Sequence, residues 1–222
     1  MRVKLLAWTS KPELLAKIAS KTCYSEVSPV EMKEEDKYPD LLAIVRKGHL
    51  SVIEHCTFTF AIEGISRVAS HELVRHRIAS YSQQSQRVAR PIGYVTPPLI
   101  EASPEAKKVY EEVLRKSTEA YEKLIELGIP LEDARFVLPN AMHTNIVVTM
   151  NARSLLNFFR LRCCLRAQWE IRELAYRMLE LVKEKMPTVF ANAGAPCQMD
   201  GTCPEMDTKC KWYAIYVKPR SK

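Results

Sequence analysis

"HCTFTFAIEG" (residues 55–64) alternates with period two. Phe58, Phe60 and Ile62 fall on one side, His55, Thr57 and Thr59 on the other. Successive side chains of a strand point to opposite faces, so this stretch predicts a strand with one buried face. Directly after it, Ile65, Val68, Ala69 and Leu73 recur at helical spacing and predict a helix over 65–77. A strand handing over to a helix makes this an α/β chain, and the flanks read the same way.

Residues 2–8 alternate weakly, as an edge strand does. "PELLAKIASKT" (12–22) follows Ser10 and carries Leu14, Leu15 and Ile18 at helical spacing. A second helix is expected over about 38–47, ending before Gly48. The clearest helix is 104–127. Ser103 is a good N-cap, Pro104 fits the first helical position, and Gly128 with Pro130 stops it. Val109, Val113, Ala120, Leu124 and Leu127 mark its apolar face. "MHTNIVVTM" (142–150) reads as a second strand. A helix over 151–162 begins with Asn151 or Ser154 as its cap, and 167–186 is strongly amphipathic. From Pro187 to residue 222 the chain is rich in Pro, Gly and Cys and is expected to be an irregular tail. No repeat or linker divides the sequence. The reading is one α/β domain over 1–222, with long helices and few strands.

The bulk numbers bound the function. No run of about 18 apolar residues occurs, so no membrane span is expected. "MRVKLLAWTSKPELL" does not resemble a signal peptide, and a cytoplasmic protein is expected. The 33 Lys and Arg against 26 Asp and Glu give a net charge of +7, which favours anionic partners. Seven cysteines, an odd number without a secretory signal, argue against a disulfide scaffold. No CxxC pair supplies the usual zinc spacing, and no metal is expected.

"RHRIASYSQQSQR" (75–87) carries the densest chemistry. Arg75, His76, Arg77 and Arg87 lie in thirteen residues without a carboxylate or glycine. A solvated helix end, a nucleic-acid patch and a site for anionic small molecules all compete for it. Cations suit a helix C-terminus. Yet a helix end has no use for the seven adjacent hydroxyls and amides that run from Ser80 to Gln86. Ribose, phosphate and base do need such short-range partners. A nucleic-acid surface would interleave cations with exposed aromatics, and only Tyr81 is present.

A second polar set interrupts "NARSLLNFFRLRCCLRAQWEI" (151–171): Asn151, Arg153, Asn157, Arg160 and Arg162. Arg153 and Asn157 are four apart and share a helix face. A solvated stripe is the competing reading. Cys163 and Cys164 read as buried packing. His55 opens the exposed side of its strand, with Glu54 beside it to orient it; Arg135 follows two carboxylates with which it can pair.

Together these stretches closely resemble the flavin-dependent thymidylate synthases. That family carries Arg-His-Arg, seven residues, then Ser; here these are Arg75, His76, Arg77, residues 78–84 and Ser85. "TCYS" (22–25), "EHCTFTF" (54–60), "DARFVLP" (133–139) and "NARSLLNFFRLR…AQWEIR" (151–172) extend the resemblance, in order, over about residues 15–190. It implies an α/β (α+β) subunit with a central antiparallel sheet and long flanking helices, of the thymidylate-synthase-complementing-protein type. It also implies a homotetramer whose active sites are shared between subunits. The implied reaction turns dUMP into dTMP with 5,10-methylenetetrahydrofolate as carbon donor and FAD reduced by NADPH. No nucleic acid or membrane partner is implied.

The resemblance also implies roles. Arg75, His76, Arg77, Thr57, Asn151, Arg153 and Asn157 match flavin contacts. His55 matches a histidine near flavin and folate. Ser85, Gln86 and Arg87 match the loop that grips dUMP, and Arg135 matches a phosphate partner from another subunit. Arg162 matches the arginine on the pyrimidine, where a fixed cation stabilises developing charge. Ser85 reads as a binding hydroxyl, since no His–carboxylate relay accompanies it. Four positions depart from the pattern. Gln83 replaces a Glu of some relatives and Gln86 a Gly, both in the nucleotide loop. Glu72, aligned with the substrate set, stands where Gln is common. Arg166 stands where some members have a flavin-contacting His.

Overall fold

The computed structural model describes residues 1–90 and 93–217. Residues 218–222 of the expected irregular tail lie outside the described residues. In chain order the elements are β1 (Arg2–Trp8), α1 (Pro12–Thr22), α2 (Leu41–Arg46), β2 (Thr57–Ser66), α3 (Arg67–Leu73), β3 (Ser80–Gln83), α4 (Pro98–Glu101), α5 (Pro104–Glu126), α6 (Leu131–Ala134), β4 (His143–Asn151), α7 (Ala152–Arg162), α8 (Trp169–Lys183), α9 (Pro187–Phe190), α10 (Pro196–Asp200) and α11 (Lys211–Tyr216). Single 3-10 turns cover Leu50–Ile53 and Arg135–Val137. The strands form an antiparallel sheet in the order β1-β2-β4-β3, so the weakly alternating β1 is an edge, as expected.

The period-two stretch behaves as its spacing requires. Phe58 and Phe60 are fully buried and Ile62 nearly so, while Thr57 is exposed. Strand β2 starts at Thr57 rather than His55 and runs on to Ser66. The opening of the expected 65–77 helix is therefore strand. The Ser66 side chain accepts from the Ala69 N–H at 3.0 Å and starts α3 there. Helix α3 also stops early, at Leu73. The Tyr81 hydroxyl donates to the Leu73 carbonyl at 2.9 Å, satisfying an acceptor the helix leaves open. Arg75, His76 and Arg77 thus lie beyond the helix rather than in its last turn.

The chain clusters into two compact units. One comprises residues 1–2, 62–75 and 81–147; the other comprises 3–61, 76–80 and 148 onward. The second unit holds an aromatic core. Phe58 meets Phe190 edge-on at 5.8 Å, Phe190 meets Phe159 at 5.9 Å, and Phe159 meets Phe158 at 5.6 Å. Leu174, Ala175, Met178 and Val182 bury the amphipathic face of α8, and each large side chain so covered contributes about 1.5–3 kcal/mol. Phe190 belongs to the stretch expected to be irregular. That stretch carries α9, α10 and α11, and buries Val189, Phe190, Ala195 and Cys197, because its apolar residues help close this core.

In the first unit, α5 begins under its Ser103 cap as expected. Of its expected apolar face only Leu124 is half-buried. Val109 is 65% exposed, Val113 55% and Leu127 67%. The helix instead buries the neighbouring stripe. Tyr121 is 2% exposed, and the Tyr110 hydroxyl donates to the Val95 carbonyl at 2.7 Å. Strand β3 was not legible in the sequence, because "SYSQ" is polar on both faces. It is fixed by Gln83, whose Nε2 donates to Ser70 Oγ (2.9 Å) and Thr144 Oγ1 (3.1 Å). No helix among the described residues is long and apolar enough to cross a membrane.

Candidate functional site

The candidate site residues divide between the units. His55, Thr57, His76, Arg77, Asn151, Arg153, Asn157, Arg162 and Arg166 belong to the second; Glu72, Arg75, Gln83, Ser85, Gln86, Arg87 and Arg135 belong to the first.

In the second unit, α7 organises the set. Its cap is Asn151, whose side chain accepts from the Ser154 N–H at 2.8 Å, so Asn151 is the cap and Ser154 its donor. Capping turns α7 so that Ala152, Leu155, Phe158 and Phe159 are buried while Arg153 and Asn157 are exposed. The two polar residues share a face, as their spacing requires. Arg153 is paired with Glu54 at 2.5 Å. This corrects the expectation that Glu54 orients His55: the longer guanidinium reaches the carboxylate first. His55 is exposed, and its carbonyl accepts from Thr9 Oγ1 at 3.5 Å. Thr57 is held by the same threonine, whose hydroxyl lies 3.3 Å from its own.

At the far end of α7, Arg162 donates from Nε to His76 Nε2 at 3.1 Å. His76 lies edge-on to Phe158, centroids 4.9 Å apart. Burial, helped by the Arg162 charge, pushes the imidazole down to about 4. His76 is therefore neutral near pH 7, accepting through Nε2 and carrying its proton on Nδ1, the tautomer its partner dictates. Burial also pushes the Cys163 thiol up to about 12, so it is no thiolate and serves packing.

The histidine makes stability depend on pH. Its folded-state pKa is below the ordinary value. Between about 6.5 and 4 the unfolded chain takes up a proton that the folded chain refuses. The contribution is complete above about pH 6.5 and disappears as pH falls through that window, by roughly 1–3 kcal/mol for a half-buried ring. Urea unfolding at pH 7 and pH 5 is expected to show this loss in the unmodified chain and a smaller one in His76→Gln. Equal losses in both would mean that another group carries the slope.

Arg75 and Arg77 are exposed, and among the described residues neither has a carboxylate within ion-pair distance. Other cations of the candidate set do have carboxylate partners, Arg87 of the same carboxylate-free stretch among them. Arg87 pairs with Glu132 at 2.5 Å, Arg153 with Glu54, and Arg166 with Glu205 and Asp207 at 3.2 and 3.4 Å. All are surface pairs, each worth about 0–1 kcal/mol, so a multiply charged anion can displace them. The carboxylates come from elsewhere in the sequence, which is why the local stretch shows none.

In the first unit, the Ser85 hydroxyl accepts from the Arg87 N–H at 3.1 Å and shapes a tight turn. Gln83 spends its amide donors on Ser70 and Thr144, so it braces the turn from behind. Gln86 and Glu72 are half-buried near the two ends of this segment. Arg135 donates from Nε to the Glu132 carbonyl at 3.0 Å rather than to a carboxylate, since the Glu132 carboxylate is taken by Arg87.

One residue escaped the sequence reading. Arg67 is half-buried in the first turn of α3, and burial and the neighbouring Arg135 charge both lower its pKa. A cation at a helix N-terminus beside a second cation is unfavourable unless an anion joins them. A signal existed: an arginine directly after the capping serine, where an acidic residue is usual. Among the described residues no group of three or more His, Cys, Asp and Glu side chains is arranged to hold a metal.

A thymidylate synthase complementing protein family model matches residues 4–188. The chain is similar to the flavin-dependent thymidylate synthase of Geobacter sulfurreducens, 50% identical over 218 residues, covering 95% of this chain and 94% of that protein. The enzyme of the same name from Clostridium tetani is 45% identical over 232 residues, with 95% and 93% covered. That of Pyrococcus abyssi is 40% identical over 242 residues, with 99% of both chains covered.

Proposed function

The chain belongs to the thymidylate synthase complementing protein family, and on that premise we propose that it reductively methylates dUMP to dTMP. The carbon donor is 5,10-methylenetetrahydrofolate and the reductant of the flavin is NADPH. The whole chain acts as one catalytic domain, in the cytoplasm, where nucleotide and folate pools lie. The observation that carries this reading is the Arg162–His76 contact. A guanidinium fixed on a neutral imidazole through Nε has a set orientation.

The donor set fits FAD. Arg75 and Arg77 offer exposed guanidinium forks suited to a pyrophosphate. Asn157 adds an amide on the exposed face of α7, and Arg153 a cation whose surface partner is displaceable. Bound there, the flavin supplies the reducing equivalents that complete the transferred one-carbon unit. The protein's own residues bind and orient. Ser85, Gln86 and Arg87 grip the nucleotide, and Arg135 of another subunit, with Arg67 beside it, neutralises its phosphate. Arg162 faces the pyrimidine and stabilises negative charge as it develops there. His55 stands at the folate side.

The exposed aliphatic stripe of α5 supports a homotetramer. Val109 and Val113, one turn apart on α5, and Leu127 at its end are large aliphatic side chains that one chain leaves in water, as interfaces between copies do. One preparation tests the proposal. The purified protein should be yellow, should have the mass of four chains by light scattering, and should show its flavin spectrum perturbed by dUMP. A colourless protein that also refuses added FAD would remove the basis for the reading.

A further inference from the structure

Glu170 is the one carboxylate among the described residues that is fully buried, at 2% exposure. Such a group is almost never buried without a counter-charge. It lies in the first turn of α8, where a carboxylate often caps the helix. That task is already done: Gln168 Oε1 accepts from the N–H groups of Glu170 and Ile171, at 2.8 and 3.0 Å. The Glu170 carboxylate therefore serves something else.

The arginines around it narrow the choice. Arg160 pairs with Asp200 at 2.6 Å. Arg166 pairs with Glu205 and Asp207. Arg172 spends Nη1 on the carbonyls of Leu165 and Ala167, at 2.9 and 3.1 Å. It is also two positions along the helix from Glu170, so it points away. Arg177 forks onto Glu173. Arg162 is different. It is half-buried in the last turn of α7, the helix packed on α8, and its Nε partner is an uncharged ring.

We infer that Glu170 is the counter-charge of Arg162, and that it acts as a positioning residue for dUMP. The inference rests on the reading that Arg162 faces the pyrimidine. Held by His76 through Nε and by Glu170 through Nη, the guanidinium has no rotational freedom left. Its remaining N–H groups then point one way before substrate arrives, which is where pre-organisation gains rate. A buried ion pair adds little net stability. Its use here is orientation.

The test uses the FAD-loaded enzyme. Glu170→Gln keeps the shape and removes the charge. It is expected to retain flavin, raise the KM for dUMP about tenfold and lower kcat, with a weaker flavin-spectrum response to dUMP. Glu170→Asp, which keeps the charge on a shorter arm, should recover part of this and carries the test if the glutamine variant fails to fold. In an Arg162→Ala background, Glu170→Gln should leave the dUMP response unchanged and should raise thermal stability rather than lower it, since it removes the buried charge left without its partner. Additive losses in unfolding would overturn the pairing whatever Arg162 does. A Glu170→Gln enzyme with unchanged KM and kcat, beside an inactive Arg162→Ala, would overturn the positioning role alone. An Arg162→Ala enzyme that handles dUMP normally would overturn the reading of Arg162 itself.

Discussion

Arg162→Ala is expected to keep its flavin and to lose dTMP formation by about a hundred- to a thousandfold, the usual cost of removing one pre-organised charge-stabilising donor. The two halves of this result have separate causes. Flavin retention follows because the exposed cations Arg75 and Arg77 are untouched. Loss of turnover follows if, as proposed, the guanidinium fixed by His76 at 3.1 Å is the group that meets charge on the pyrimidine. Lysine should not rescue it. A single ammonium cannot both donate to His76 and present a planar fork. Flavin content by absorbance, the dUMP-induced spectral change and initial rates of dTMP formation separate the possibilities. An Arg162→Ala enzyme that makes dTMP at the unmodified rate would refute its role at the pyrimidine.

The sequence disclosed elements whose periodicity is driven by burial, and hid those fixed by single polar contacts. Phe58, Phe60 and Ile62 showed β2 because one face of that strand is dry. Strand β3 was hidden because it depends on Gln83 reaching Ser70 and Thr144, sixty-one residues away for the latter. Helix α5 shows the limit of pattern reading. Its length and cap were legible, yet of its two adjacent apolar stripes the aliphatic one is left exposed, and only long-range contacts such as Tyr110 to Val95 decide that. In the site the residue types were legible and their pairings were not. Glu54, Glu132, Glu205 and Asp207 are distant in sequence from most of what they bind. Nothing local announced that the middle residue of the Arg-His-Arg triplet would be a neutral acceptor. That property comes from burial, with Phe158 edge-on to the ring, a contact between residues far apart in the chain.

Phe158 is therefore where stability and chemistry meet, and Phe158→Ala should show both. The ring is fully buried, 5.6 Å from Phe159 and 4.9 Å from His76. Emptying such a site costs about 3–5 kcal/mol, a large part of the total for an ordinary domain. Leucine, which refills most of the space, should cost much less. The second effect is electrostatic. Burial is the larger of the two causes holding His76 near 4, so opening a water-sized gap beside it should raise that pKa toward its ordinary value. Once protonated, Nε2 has no lone pair for the Arg162 Nε–H, and two cations face each other. Flavin-loaded Phe158→Ala should thus lose dTMP formation more steeply than the unmodified enzyme between pH 8 and pH 6. Urea unfolding reads the first effect, and imidazole NMR with the pH–rate profile reads the second. A variant destabilised by several kcal/mol whose His76 still titrates near 4 would mean that Phe158 fills the core without insulating the site. A variant destabilised by under about 1 kcal/mol would mean that the aromatic chain from Phe58 through Phe190 and Phe159 carries this end of α7 without it.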